Sequence, residues 1–540
     1  MQRLEQPTVL VIGAGIAGIC AAIEAARAGV SVIITAAGTL FSGSSFYPGT
    51  WGLGLIAPEN SSDEDDLVHT ICKVGCGVAN EDLVQTFVHD IPAGIAWLER
   101  LGVKLKRPAN EQSAHEAAFI PCFDHKTRLW RGLVRESMEQ TFGREVERLG
   151  IRVLEHVELI DLLDDASGAI AGGVLFDRRR ERIFLVPSHA VVLAGGGTSG
   201  LFERRLTSGD VLGTVHGIAH RHGAKLVNIE FMQMMPGLIA PKRGIVFNEK
   251  SFRYAHTTPP ISQELLEMRS PYGPFTSRLP SRAVDLVIDA AGENGLPLVY
   301  DFPSHDVPEF VRTFSQWLEQ ERGIRSTDEM HIAMYAHASN GGIVIDGQGF
   351  TGVQGLYACG EATGGMHGAD RIGGLSSANG LVFGRRAGCA AAKAATARRA
   401  GTCDATYPTA TSESESAEIE AWIHHRAQSE QPILPISPHV AQDALRRLRA
   451  TMSAHCMVVR TADGLHEALE DIEGLHADME SHIAQAPSPV DFAASARLSL
   501  QLHLAHVMVE AMLERTESRG SHYRADHPEE DPKLARPIIR

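Results

Sequence analysis

The spacing of apolar and polar positions predicts strands and helices in a definite order. Thr8 to Ile12 is a β-branched run suited to a strand buried on both faces of a parallel sheet. It runs into Gly13-Ala-Gly15-Ile-Ala-Gly18, an Ala-rich helical stretch to Ala28, a terminating Gly29, and a second strand from Val30 to Thr35. Two later strands also end in glycine clusters. Ala190 to Ala194 leads into Gly195-Gly196-Gly197, and Gly355 to Cys359 leads into Gly360-Glu361-Ala-Thr-Gly364-Gly365. Helical periodicity resumes from Ser376 to near Ala397. Residues 235–334 mix short strands, Pro-rich loops and helical stretches, and Thr402 to Ser416, rich in Ser, Thr and Glu, predicts an exposed linker. Amphipathic helical stretches follow over 440–453, 464–484 and 490–514.

This order predicts an α/β chain: a Rossmann-like dinucleotide-binding domain over 1–234 plus 335–400, an inserted α+β capping domain over 235–334, a linker over 401–436, and a helical domain over 437–540. The first glycine cluster carries the chemistry. Gly13 permits a tight turn, Gly15 lets a pyrophosphate approach the backbone, and Gly18 lets helix and strand pack closely. The helix N-terminus then offers unpaired N–H groups and a favourable dipole to the phosphates.

Composition narrows the partners. The 540 residues carry a formal net charge of −16, which argues against nucleic acid or an anionic membrane surface as a partner. No apolar run reaches the ~20 residues of a membrane span, so no integral membrane segment is expected. The eight cysteines are scattered, with no Cys-x-x-Cys pair and no metal-ligand spacing. They predict reduced thiols, a cytoplasmic location and no bound metal.

Several ordered motifs resemble the flavoprotein family of succinate dehydrogenase, fumarate reductase and L-aspartate oxidase. They are Gly43-Ser-Ser-Phe-Tyr47, Leu193-Ala-Gly-Gly-Gly197, His337-Ala-Ser-Asn-Gly341-Gly342, Gly355-Leu-Tyr-Ala-Cys-Gly-Glu361, Gly368-Ala-Asp-Arg371-Ile-Gly-Gly374, and Glu517-Ser-Arg-Gly-Ser-His-Tyr-Arg524. The resemblance implies FAD, held through Gly13, Gly15, Ala17, Gly18, Ser44, Ser45, Gly195, Gly196, Gly360, Glu361 and Ser376. It implies hydride exchange between flavin N5 and a carbon beside a carboxylate. Ser44 stands where membrane-bound members carry the histidine that links flavin covalently, so the FAD is expected to be non-covalent. The second strand ends in Thr35 rather than an acid, which makes NAD a poor fit.

By the same resemblance, Arg371 occupies the carboxylate-binding arginine position, His337 the histidine beside it, and Arg282 the proton-shuttling arginine. Arg282 could instead be a surface residue paired with Asp285 or Asp289. The likeness breaks at two places. The family's Gln-Phe-His-Pro-Thr is Gln233-Met-Met235-Pro236-Gly237 here, and the element after Arg243 is three residues short. Both losses fall on the second carboxylate of a C4 dicarboxylate, which Arg243 or Lys242 would have to hold from a shifted position. Trp51, Met232, Met234 and Met235 are candidates for a more apolar pocket. The expected function is therefore an FAD oxidoreductase acting on a carboxylate other than succinate or fumarate, exchanging electrons with an unidentified donor or acceptor such as a separate redox protein. The alternatives are an L-aspartate oxidase-like amino-acid oxidase and a flavin-bearing subunit for electron transfer or assembly without its own substrate.

Overall fold

The structure is a computed structural model that describes residues 8–110, 128–269, 282–303, 307–400, 412–427, 433–485 and 487–540. Thr8–Ile12, with all five residues buried, is the central strand of a five-stranded parallel sheet. Across that sheet the order is Leu356–Ala358, Ala190–Leu193, Thr8–Ile12, Ser31–Ala36 and Arg152–Glu155. The helix Ile16–Arg27 crosses this sheet and packs on the long helix Leu375–Ala400. Glycine sets their separation: a Cβ on Gly384 would lie 2.5 Å from the Ala17 carbonyl oxygen, and one on Gly388 would lie 2.2 Å from that of Ala21.

A second, antiparallel five-stranded sheet is built around Met232–Ala240 paired with Met330–Ser339. The expected domain boundaries at 234/235 and 334/335 fall inside these two strands, so the inserted segment continues from the nucleotide domain through paired strands rather than through loops. The helix Glu309–Arg322 belongs to this segment, and its residues share a cavity wall with the glycine turn.

Where the sequence predicts a linker, residues 401–411 lie outside the described residues, but Ser412–Ala427 is a helix. Trp422 is buried in a cluster with Ile160, Val174 and Phe492, and its Nε1–H donates to Asp161 at 2.9 Å. Arg426 pairs with the same carboxylate. The apolar spacing of Ile419, Trp422 and Ile423 docks the helix on the sheet Val157–Asp164, Ile170–Asp177 and Arg182–Pro187; Glu and Ser on its other positions hid that stripe.

The C-terminal region forms the helices Pro438–His455, Ala462–Ser481 and Pro489–Glu514, capped by the side chains of Ser437, Thr461 and Ser488. The tail after them holds a buried ionic cluster in which Arg515 bonds Glu230 at 2.8 Å and Glu517 at 2.9 Å. That cluster ties the tail to the segment just before Met232.

A histidine cluster seals the last helix against Thr214–Arg221. His220 Nδ1 and His503 Nε2 are 2.9 Å apart, so one ring must be a neutral acceptor. Burial first, then Arg221, His220, His506 and His476, pull His503 down to about 4. A histidine whose folded pKa lies below its unfolded value contributes stability above the unfolded pKa, and that stability is lost as pH falls through the folded one. The melting temperature is expected to drop by several degrees between pH 6.5 and pH 4, and the drop to shrink in His503→Gln. A scanning-fluorimetry pH series checks it; a flat profile for the native protein would show that the cluster is solvated.

Candidate functional site

One cavity of about 770 Å³ runs from the first glycine turn to Arg371. At its first end, Gly13 adopts φ +110°, and a Cβ there would lie 2.2 Å from the Ala194 carbonyl oxygen. Only glycine fits that crossing of two strand ends. Gly15 caps the helix without a side-chain bond, and Ser45 Oγ accepts the Ile16 N–H at 3.2 Å. Gly15 itself has φ −76°, and a Cβ on it would meet only Ser45 Oγ at 3.4 Å. Its absent side chain therefore opens the cavity rather than relieving the backbone.

The polar atoms facing this space fit a dinucleotide. Thr35 Oγ1, Ser44 Oγ and Asp210 Oδ1 all belong to the cavity wall and have no hydrogen-bond partner among the described residues. Such groups need a ligand or solvent to satisfy them. Gly13, Gly15, Ala17, Ser44, Ser45, Gly195, Gly196, Gly360, Glu361 and Ser376 all line the cavity. Gly18 does not; a Cβ there would come within 1.9 Å of the Gly13 oxygen, so its part is packing within the turn. Glu361 Oε1 accepts the Ser339 N–H at 3.0 Å, and enclosure raises its carboxyl above the usual range.

At the other end stands Arg371, 5% exposed. One guanidinium nitrogen donates to Gln233 Oε1 at 2.9 Å and another to the Ile372 carbonyl at 3.2 Å, while Nε has no partner among the described residues. Gln233 in turn donates to Asp370 Oδ1 at 2.9 Å, so Asp370 and Gln233 together fix the guanidinium from behind. Burial lowers the Arg371 pKa, offset by Glu361 and Asp370. The fork stays charged and oriented.

His337 shares this wall. The strand pairing sets Gln233 opposite Ala338 and Met234 opposite Ala336, leaving His337 as the extra residue of a bulge that re-aims its ring. Burial, then the Arg371 charge, holds its imidazole at about 3, so it is neutral at any working pH.

The remaining expected site residues separate. Trp51 and Met235 line the cavity, whereas Met232 and Met234 are core residues, each 1% exposed. Arg243 is exposed beside Tyr335 and off the cavity wall, and Lys242 donates to the Arg322 carbonyl, because the short hairpin Met232–Ala240/Ile245–Val246 turns both outward. Neither replaces the missing cation. Arg282 opens the helix Arg282–Ala290 and lies 4.2 Å from the Tyr523 ring centroid. Burial lowers it to about 10, partly offset by the surrounding Tyr523, Asp285, Glu530 and Cys76. It is not among the cavity residues, so the structure brings Arg371 and His337 together without it.

Sequence reasoning missed the outer wall. Lys106, Arg107, Trp130 and a full face of the helix Glu309–Arg322 belong to the cavity. The spacing of Phe310, Phe314 and Trp317 announces an amphipathic helix, but only the fold shows what that face covers.

Residues 8–253 and 272–377 match the FAD binding domain family, and residues 445–535 match the fumarate reductase flavoprotein C-terminal domain. The chain is 28% identical to an L-aspartate oxidase of Streptomyces coelicolor, over 97% of its own length and 89% of that protein. It is 27% identical to a subunit of the fumarate reductase (CoM/CoB) of Methanothermobacter marburgensis, over 99% of its own length and 97% of that protein. Among solved structures, the Mycobacterium smegmatis Sdh1 complex in its apo form superposes with a TM-score of 0.76 at 25% identity, covering 98% of this chain and 91% of that one.

Proposed function

The chain belongs to the flavoprotein family defined by this FAD binding domain, with the fumarate reductase flavoprotein C-terminal domain after it, and from that premise we propose that this FAD-dependent oxidoreductase acts on a carboxylate other than succinate or fumarate. FAD, which the cavity fits and which we read as non-covalent from Ser44, supplies hydride transfer when bound. The protein supplies orientation and charge. Arg371, held by Gln233 and Asp370, brings its guanidinium charge to the cavity wall for one carboxylate. His337, being neutral, adds a hydrogen-bonding ring nitrogen without a second charge. Arg282 is given no step in this arrangement.

The observation that carries the reading is Met235. It lines the cavity where the resemblance places a histidine, and no shifted cation from the Arg243 hairpin faces the same space. A C4 dicarboxylate would leave one carboxylate poorly paired, at a cost of several kcal/mol. Fumarate with the reduced protein, and succinate with the oxidised protein, are expected to give kcat/KM below about 10⁴ M⁻¹s⁻¹. Anaerobic spectroscopic titration checks this, with L-aspartate as a third arm. Fast turnover of fumarate or succinate would sink the reading, and efficient flavin reduction by L-aspartate would establish the amino-acid oxidase in its place.

For the electron partner we infer a separate redox protein, supported by the relative that is one subunit of a larger fumarate reductase. No helix among the described residues is long and apolar enough to cross a membrane. A cytoplasmic location is supported by the buried thiols of Cys20, Cys359 and Cys456, which form no disulfide.

A further inference from the structure

Part of the cavity wall is aromatic. Trp51, which precedes the strand Leu53–Ala57, meets Phe310 edge-on with centroids 4.5 Å apart and Phe314 at 6.4 Å. Both phenylalanines come from the helix Glu309–Arg322, one turn apart on the face that also lines the cavity. Met235, 1% exposed, continues the apolar surface on the sheet side.

The charges that the helix Glu309–Arg322 adds to the cavity lining are of the wrong sign for a second carboxylate. Glu309 and Glu321 sit on the same helix and line the same cavity, and Glu321 accepts the Trp317 indole N–H at 3.1 Å. Besides Arg371, the Lys and Arg residues of the lining are Lys106 and Arg107, and Arg107 is engaged by Glu99 at 2.9 Å. A dianion would therefore set its second carboxylate against aromatic faces and acids, whereas an apolar ring would bury there and pair edge-to-face.

We propose that the site takes monocarboxylates bearing an apolar, ring-sized substituent, with the carboxylate at Arg371 and the ring against Trp51, Phe310 and Phe314. The proposal rests on the carboxylate reading above and names its substrate class.

Equilibrium titration of the FAD-loaded protein tests it, read by tryptophan quenching and by the shift of the visible flavin band. The probes are 3-phenylpropionate, butyrate, succinate and 3-phenylpropionamide. The expected result is that 3-phenylpropionate binds about 10- to 100-fold more tightly than butyrate or succinate. Trp51→Ala is expected to remove that preference, lowering 3-phenylpropionate affinity far more than butyrate affinity, with FAD content measured alongside. Phe310→Leu, a milder change at a half-buried position, is expected to reduce it in the same direction, so a poorly folded Trp51 variant would not decide the matter alone.

Equal affinity for butyrate and 3-phenylpropionate, or tighter binding of succinate through Lys106 or Arg107, would overturn the proposal while leaving carboxylate recognition intact. An amide that binds as well as its acid, or no response to any acid, would overturn the carboxylate reading and this proposal with it.

Discussion

Replacing Arg371 by alanine is expected to lower kcat/KM for a carboxylate substrate by about 10²–10³-fold, equivalent to about 3–4 kcal/mol. The side chain is almost fully enclosed, and its orientation is fixed by Gln233 and the Ile372 carbonyl. Removing it also strips Gln233 of its charged donor. Arg371→Lys keeps the charge but loses the planar fork and is expected to recover only part of the loss. Gln233→Leu should act through the arginine: KM is expected to rise while FAD content stays constant. Steady-state kinetics with the flavin content measured separately decides these cases. An Arg371→Ala protein that loads FAD and keeps its carboxylate kinetics within a few-fold of native would place the anchor elsewhere.

The second large effect lies at the glycine turn, where two neighbouring substitutions are expected to fail in different ways. Gly13→Ala would put a methyl 2.2 Å from a backbone oxygen at φ +110°. Strain and overpacking together cost about 2–6 kcal/mol, so the apoprotein itself should melt early. Gly15→Ala meets only the Ser45 hydroxyl at 3.4 Å and has an ordinary φ, so the apoprotein should melt as the native one does. Its methyl enters the cavity where the resemblance places the pyrophosphate, and FAD affinity is expected to fall about 10- to 100-fold. Thermal melts of apoprotein beside flavin fluorescence titration separate the two. Native-like FAD affinity in Gly15→Ala would show that the phosphates do not pass over this turn.

Local features announced much of this fold. The β-branched run at Thr8–Ile12, its glycine turn and the three C-terminal helical stretches are specified by neighbours in sequence, and they appear as expected. The Gln233–Arg371–Asp370 arrangement was invisible because Gln233 and Arg371 meet only when the strand Met232–Ala240 crosses the loop before Leu375. Ile419 and Trp422 were hidden by an acidic, serine-rich context that reads as solvated chain. Arg243 and Arg282 had the right residue type in a matching motif, yet a short hairpin turns one outward and a tail tyrosine engages the other. Chemistry at a site depends on where a side chain is delivered, and delivery is set by packing between distant segments.

The central claim is that a single carboxylate, held at Arg371, positions the substrate beside the flavin. Stopped-flow mixing of anaerobically reduced holoprotein with 3-phenylacrylate, its amide and fumarate tests it most directly, with the return of oxidised flavin absorbance as the signal. Reoxidation by the acid is expected to be at least about 10²-fold faster than by the amide or by fumarate. Reoxidation at equal rates by acid and amide would contradict it.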